Sequence, residues 1–424
     1  MDNPNASESF ASFTHFAGFD WARAAAHQIV VVDPSGRIVL HRQVEQTSES
    51  WAALRQALRP LGKVAVAIET NNGPAVERLL EMGLSVYPMN PKAAERYRDR
   101  KAPSGVKDDF RDGWSFADAL RTDGHAWRVL RGDDPRTCEL RMLCRDEIGL
   151  IEQRTALVNQ LQAALYEYFP AALEAFDDWT MAAPWEFIVQ FPTPAALAAA
   201  SKRRWQSFFH THRLYQKQMA ERRMEIFARA QESASPSAAV IAAKSMLAVS
   251  LAKTLRTLEQ QIKEYRQRID KLFGEHPDHD LFGSLPGAGA KLAPRLLGEI
   301  GSNRQTLDSP DALRCLAGTA PVTKQSGTTR FVFIRWMCNK VLRATVHLWA
   351  DESRHQCVWA EVYYQKKRQE GKSHAQALRC LGQRWLKILW KMWQEHRCYD
   401  QALHTASQVK HGSWVLGLMP QVQP

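Results

Sequence analysis

The chain is short of the features that mark secreted, membrane or zinc proteins. Its seven cysteines are odd in number and scattered, with no Cys-x-x-Cys pair, so neither a disulfide framework nor a zinc ribbon is expected. No apolar run approaches the roughly 20 residues that a membrane span needs. The opening residues MDNPNASESF lack the charged and apolar regions of a signal peptide, so reduced thiols, no membrane and a cytoplasmic location are the expectation. His-Glu-x-x-His and the Walker glycine loop are missing too, which leaves zinc hydrolysis and NTP-driven chemistry without support. Acid is in deficit. The 45 Asp plus Glu against 56 Lys plus Arg leave a net charge of +11, which favours a polyanionic partner such as nucleic acid over a plain basic globular chain.

What is present suffices for two or three domains: 424 residues, 45% of them hydrophobic. From Phe16 to Glu45 the sequence reads strand, turn, strand: FAGFD, HQIVVVD, the turn Pro34-Ser35-Gly36, then RIVLHRQV. Residues 48–58 and 74–82 have helical spacing, while KVAVAIE (63–69) and LSVYPMN (84–90) read as strands. Hairpin strands followed by alternating helices and strands predict a mixed α/β sheet domain.

The stretch GVKDDFRDG (105–113) crowds three aspartates into a basic chain. On a helix Asp109 and Asp112 share a face, and Asp108 and Asp112 are also neighbours. An acidic first turn bathed in solvent would look the same. Asp20 ends the first strand and Glu69 ends KVAVAIE, so both carboxylates can emerge at one sheet edge and meet Asp109 and Asp112 there. Such a convergence repels strongly without divalent cations, and oxygen-only ligation suits Mg²⁺, with Mn²⁺ as a substitute. Two such ions suit phosphoryl chemistry.

After Asp112 the pattern is helical. Leu251, Leu255, Leu258, Ile262, Tyr265, Ile269 and Leu272 step by four and three as a coiled-coil seam. Leu150, Leu157, Leu161, Ala164 and Tyr168 run in similar register, leaving an antiparallel hairpin and a dimer seam both open. Between them SKRRWQSFFHTHRLYQKQMAERR (201–223) mixes cations and rings, as a nucleic-acid-facing helix would, with Lys202, Arg203 and Arg204 at its head. An ordinary amphipathic helix fits equally. QESASPSAA (231–239) reads as a linker.

LFGSLPGAGAKLAPRLLGEIG (281–301) is similar to one helix-hairpin-helix, in which Gly287 and Gly289 let backbone N–H groups approach a phosphate; a tight turn opening a helix is the plain alternative. AGTAPVTKQSGTTR (317–330) reads as a loop of turn formers, with Lys324 and Arg330 near Ser326. In YYQKKRQEGKSHAQALRCLGQRWLKILWKMW (363–393) rings and leucines mark a core face and Lys366, Lys367 and Arg368 a cationic one. His276-Pro277-Asp278-His279-Asp280 mimics a metal site but reads as a polar helix exit.

The order strand-Asp, strand-Glu, helix Asp-x-x-Asp resembles the RuvC-like branch of the RNase H fold. With Phe-x-Gly-x-Asp at 16–20, Lys107-x-Asp109-x-x-Asp112, LPGAG…LLGEIG, the run at 320–327 and YYQKKRQEGKSHAQAL, the chain from about 16 to 395 resembles the bridge-RNA-guided insertion-sequence recombinases. These are DEDD transposases with a serine-bearing second domain. The resemblance implies Asp20, Glu69, Asp109 and Asp112 as a metal tetrad without Asp108, Ser326 as nucleophile, and Lys107 among the nucleic-acid contacts. It also implies donor and target DNA, a structured bridge RNA, and a dimer or tetramer associated with the nucleoid when acting. Gly113 stands where such proteins usually carry alanine, and WMCNKVLR (336–343) matches their pattern only loosely. The expected layout is a disordered 1–15, a RuvC-like domain at 16–138, a helical coiled-coil region at 139–280, a serine-bearing, mainly helical transposase domain at 281–400 and a tail at 401–424.

Three readings follow. A recombinase would pass through a covalent phosphoserine ester, which conserves the linkage for rejoining. A RuvC-like nuclease would use water and leave Ser326 structural. A non-catalytic nucleic-acid scaffold would gain little from converging carboxylates. A protein–DNA adduct separates the first from the second.

Overall fold

The computed structural model describes residues 10–22, 25–71, 73–101, 108–214, 216–231 and 236–418. They form two compact units, one up to Asp133 and one from Asp134.

In the first unit, β1 (His15–Asp20), β2 (His27–Val32), β3 (Ile38–Val44), β4 (Val64–Ile68) and β5 (Ser85–Pro88) form a sheet of order β3-β2-β1-β4-β5. β1 pairs antiparallel with β2 and parallel with β4, so Phe19 lies beside Ile68. The runs HQIVVV and VAVAI are buried throughout, as central strands covered on both faces must be. Alternation then sorts the side chains. Ala17, Phe19, Val66 and Ile68 enter one core with Leu54 and Leu79; Phe16, Ala65 and Ala67 enter the other with Phe116, Ala117 and Leu120 of the helix Asp109–Asp123. That helix lies so close to β1 that a Cβ on Gly18 would stand 1.9 Å from the Gly113 carbonyl oxygen. Gly113 is tight as well: its own Cβ would come within 3.2 Å of Val30 Cγ2. Residues 10–15, expected to be disordered, are instead part of this unit: Phe10 opens a 3-10 turn, and its ring meets Phe13, Phe16 and Tyr87. Residues 1–9 lie outside the described residues.

In the second unit the seam closes within the chain. The helices Pro135–Tyr168 and Ala238–Gly274 run antiparallel, fixed by Glu139–Arg268, Glu147–Arg266, Arg154–Glu259 and Glu167–Lys244. Leu251, Leu255, Leu258, Ile262, Ile269 and Leu272 are buried along it, so the seam is an intramolecular hairpin and lends no support to a dimer. Ala238–Gly274 is also the one described helix long and apolar enough, by length and composition, to cross a membrane, which the sequence reading did not register; Ala248, Leu251, Ala252 and Leu255 nonetheless sit in the protein core.

The stretch 201–223 is two helices, Lys202–Thr211 and Lys217–Gln231, rather than one nucleic-acid-facing element. Phe208 and Phe209 are buried, the Trp205 indole donates to Leu197 O, and the buried Arg223 donates to Ala175 O. Those rings fill a core with Phe187, Phe191 and Phe227 and are not available to stack on bases. A second core gathers Leu140 and Leu272 with Leu296, Trp349, Trp385 and Trp393. It is built from Gly289–Ile300, Lys340–Gln356, Val358–Gln369 and His374–Glu395, the last opened by a Ser373/Gln376 capping box. The polar exit at 276–280 is structural: His276 Nε2 meets Thr137 Oγ1 at 2.9 Å and Asp278 binds Arg304. The stretch 317–330, read as a loop, forms the strand β6 (Val322–Ser326), which pairs antiparallel with β7 (Thr329–Phe333).

Candidate functional site

The carboxylates of the first unit are delivered by strand alternation. Asp20 follows Phe16 and Gly18 on the β1 face that meets the helix Asp109–Asp123, and Glu69, one residue past β4, continues the face of Ala65 and Ala67. Phe19 beside Ile68 sets Asp20 and Glu69 next in line on adjacent strands. Asp112, 3% exposed, faces the same side from the first turn of the helix. Asp109 is exposed one turn earlier. Asp108 caps the helix, its Oδ1 accepting from Arg111 N at 2.7 Å, and is thereby turned away from the others.

One residue here escaped the sequence reading. Arg98, on the helix Pro91–Lys101, places Nη1 3.1 Å from Asp112 Oδ2 and 3.5 Å from Glu69 Oε2. A guanidinium thus supplies the counter-charge that the paired carboxylates require. Hard carboxylate oxygens from Asp20, Glu69 and Asp112 are the donor type that Mg²⁺ takes. Among the described residues, however, no group of three or more His, Cys, Asp or Glu is gathered to hold an ion, and Arg98 occupies the charge balance instead.

Ser326 belongs to the second unit. It ends β6 opposite Thr329, and Gly327, with φ +57°, takes the first place of the two-residue turn, where a positive φ is required. The hydroxyl is exposed and makes no side-chain hydrogen bond among the described residues. Lys324, two residues earlier, shares its face. Arg330 pairs with Gln325 and so projects from the opposite face, which corrects the expectation that both cations flank the serine.

The other basic candidates divide. Lys107 lies outside the described residues. Lys202 opens its helix; Arg203 is exposed, and Arg204 is exposed with its guanidinium 5.4 Å from the Phe191 ring centre. Gly287 is not a phosphate cradle: its N–H donates to Gln356 Oε1 at 2.8 Å, and a Cβ there would strike Ser353 N at 2.5 Å. Gly289, φ +53°, begins the helix Gly289–Ile300 with open space around it. Lys367 is engaged within the fold, bound to Glu370 at 2.8 Å and set over the rings of Tyr363 and Trp414. Burial depresses its pKa, but the Glu370 carboxylate outweighs this and holds it above the ordinary lysine value. Arg368 donates to Lys372 O, and Lys366 is half-buried without an ion pair among the described residues.

Comparison with known proteins identifies the family of both segments. Residues 17–170 match a family model described as "Transposase", and residues 279–365 match one described as "Transposase IS116/IS110/IS902 family". The chain is 32% identical to the "Mini-circle putative transposase for IS117" of Streptomyces coelicolor over 92% of its own length and 96% of that protein's. It is 28% identical to the "Insertion element IS900 uncharacterized 42 kDa protein" of Mycobacterium paratuberculosis, over 92% and 98% respectively. Against "Putative transposase y4uE" of Sinorhizobium fredii it is 35% identical over 47% of this chain and 57% of that one.

Proposed function

Because the chain belongs to the insertion-sequence transposases of the IS116/IS110/IS902 family, we propose that it cuts and rejoins DNA through a phosphoserine ester at Ser326, directed by a structured RNA. The observation that carries this reading is the division of the chemistry between the two matched segments: 17–170 contains Asp20, Glu69, Asp109 and Asp112, and 279–365 contains Ser326. The mixed sheet, with its carboxylates on one face, is consistent with a RuvC-like domain.

In the proposed reaction Ser326 Oγ attacks the scissile phosphorus and its proton leaves to solvent or a base. One bridging oxygen departs with the displaced strand end, and the phosphate stays esterified to the serine. A strand-end hydroxyl later attacks that phosphorus, restoring a phosphodiester and freeing Ser326, so no nucleotide cofactor is needed. Lys324, on the serine's face, holds a non-bridging oxygen. Asp20, Glu69, Asp109 and Asp112 are the carboxylates proposed to hold Mg²⁺, but among the described residues no three of them are gathered around one point and Arg98 neutralises two of them, so the steps above do not run through the ion. The RNA partner rests on the sequence resemblance and on the net charge of +11. Exchange between two DNA sites calls for a dimer or tetramer, assembled through surfaces other than the Leu251–Leu272 seam.

The test is to incubate protein, the RNA transcribed from the element, labelled element-end DNA and Mg²⁺, denature, and look for DNA that migrates with protein. The adduct should map to Ser326, and Ser326→Ala should abolish cleavage and rejoining while leaving folding intact. Cleavage that survives in Ser326→Ala would identify a water-using nuclease.

A further inference from the structure

The β6–β7 ribbon is a two-stranded sheet paired with nothing else, and every residue from 323 to 333 is exposed. Such a ribbon is marginal by itself in water. This one also displays large apolar side chains: Phe331 is 57% and Phe333 47% exposed. The register sorts them. Ser326 opposes Thr329, Lys324 opposes Phe331 and Val322 opposes Phe333, so these share one face, while Gln325, Arg330, Thr323 and Val332 share the other. On the serine's face the two phenylalanine rings stand 6.1 Å apart, and Lys324 Nζ sits 5.7 Å from the Phe333 ring centre. From Pro321 to Arg343 the chain carries Lys324, Arg330, Arg335, Lys340 and Arg343 and no acidic residue.

Aromatic faces beside a lysine, in a segment that itself carries no acidic residue, suit a nucleic-acid strand whose bases are open for stacking. A second copy of this chain would bring the same uncompensated cations against one another, whereas a polyanion neutralises them. We propose that the face bearing Ser326, Phe331 and Phe333 is a stacking platform for unpaired bases of the DNA strand being cut, with Lys324 on the adjoining phosphate. This rests on the assignment of Ser326 to strand cleavage. Ser326 and Lys324 are separated by about 7 Å along the strand, and Phe331 lies directly across from Lys324, so a base seated on that ring holds its neighbouring phosphate beside the serine hydroxyl. A base stacked between its neighbours inside a duplex offers no free π-face to these rings, so the platform selects a locally opened strand.

The experiment uses the full chain carrying Ser326→Ala, so that no chemistry occurs, and a fluorescein-labelled oligothymidylate read by anisotropy at fixed salt. Phe331→Ala and Phe333→Ala should each weaken binding about tenfold, Val332→Ala on the opposite face by less than twofold, and Phe331→Trp should retain it. Thermal midpoints measured alongside should be unchanged, since these side chains are exposed. Undiminished binding in both phenylalanine variants, or an equal loss in Val332→Ala, overturns the platform. Loss confined to a labelled oligouridylate, with oligothymidylate unaffected, assigns the face to RNA and overturns the DNA assignment. Because binding is measured without cleavage, an adduct mapping away from Ser326 would defeat the serine mechanism while leaving this result standing, and the two failures are distinguishable.

Discussion

Arg98 and Asp112 are joined by a contact of 3.1 Å, in which the arginine of one helix neutralises a nearly buried carboxylate on the next and reaches Glu69 with the same nitrogen. Removing the guanidinium takes a cation away from a nearly buried carboxylate. Arg98→Gln should lower stability by about 3 kcal/mol in the absence of divalent cations. Added Mg²⁺ should restore more of the thermal midpoint in this variant than it adds to the wild type, because an ion that binds the folded state replaces the missing charge. Melting curves across a Mg²⁺ series decide it; identical responses would place the ion elsewhere.

Asp108 and Asp109 are adjacent and should respond differently to substitution. Asp108 caps the helix through Arg111 N, and asparagine caps equally well, so Asp108→Asn should be near neutral while Asp108→Ala loses about 1 kcal/mol. Asp109→Asn should instead leave stability alone and weaken Mn²⁺ binding in a calorimetric titration. Equal loss of the ion in both asparagine variants would show that the assignment along the helix is wrong.

The neighbouring lysines 366 and 367 should also separate. Lys366→Glu should weaken nucleic-acid binding and flatten its salt dependence by about one counterion, with the thermal midpoint retained. Lys367→Glu should lower the midpoint first, since it sets a second carboxylate against Glu370 and leaves the Tyr363 and Trp414 rings without their cation. Salt series run beside melting curves would show a reversed order if Lys367 were the contact.

Glu147 should make the second unit sensitive to acid. Burial pushes its carboxyl up, but the guanidinium groups of Arg295 and Arg266 outweigh this and hold the folded value below the ordinary one. A group with a depressed folded pKa contributes stability in full above the unfolded value and loses it as pH falls through the folded value. Glu147→Gln should cost about 3–5 kcal/mol at neutral pH by leaving Arg295 uncompensated, and should flatten the acid limb of a midpoint-against-pH curve. An unchanged acid limb would move the lability to another carboxylate.

The N-terminal strands were legible because their apolar runs are bounded by turn residues, and Asp20 and Glu69 were placed by standing at the ends of their strands. The seam was legible as a pattern, but its partner was not: Leu251 to Leu272 look the same whether they face a second copy or the helix Pro135–Tyr168. Composition misled at 201–223, where Phe208 and Phe209 beside arginines suggested stacking. A ring among cations reads alike whether it faces solvent or core, and only the neighbouring Phe187 and Phe227 decide it. Arg98 had no local signal at all, since it meets Asp112 only after the chain has crossed from one helix to the next. At β6–β7 the residues TKQSGTT read as turn formers, although Gly327 at its positive φ is what lets the flanking strands pair.

The antiparallel hairpin of the second unit also fixes a length. Its helices have 34 and 37 residues and so run about 50 Å. One end is anchored by Leu140 and Leu272 in the tryptophan-rich core, the other by Leu165 and Ala248 among the phenylalanines. It therefore acts as a strut whose span is counted in residues: a heptad added to both arms would keep the seam in phase and move the far core outward by about 10 Å, whereas three residues added to one arm would rotate its apolar stripe out of the seam.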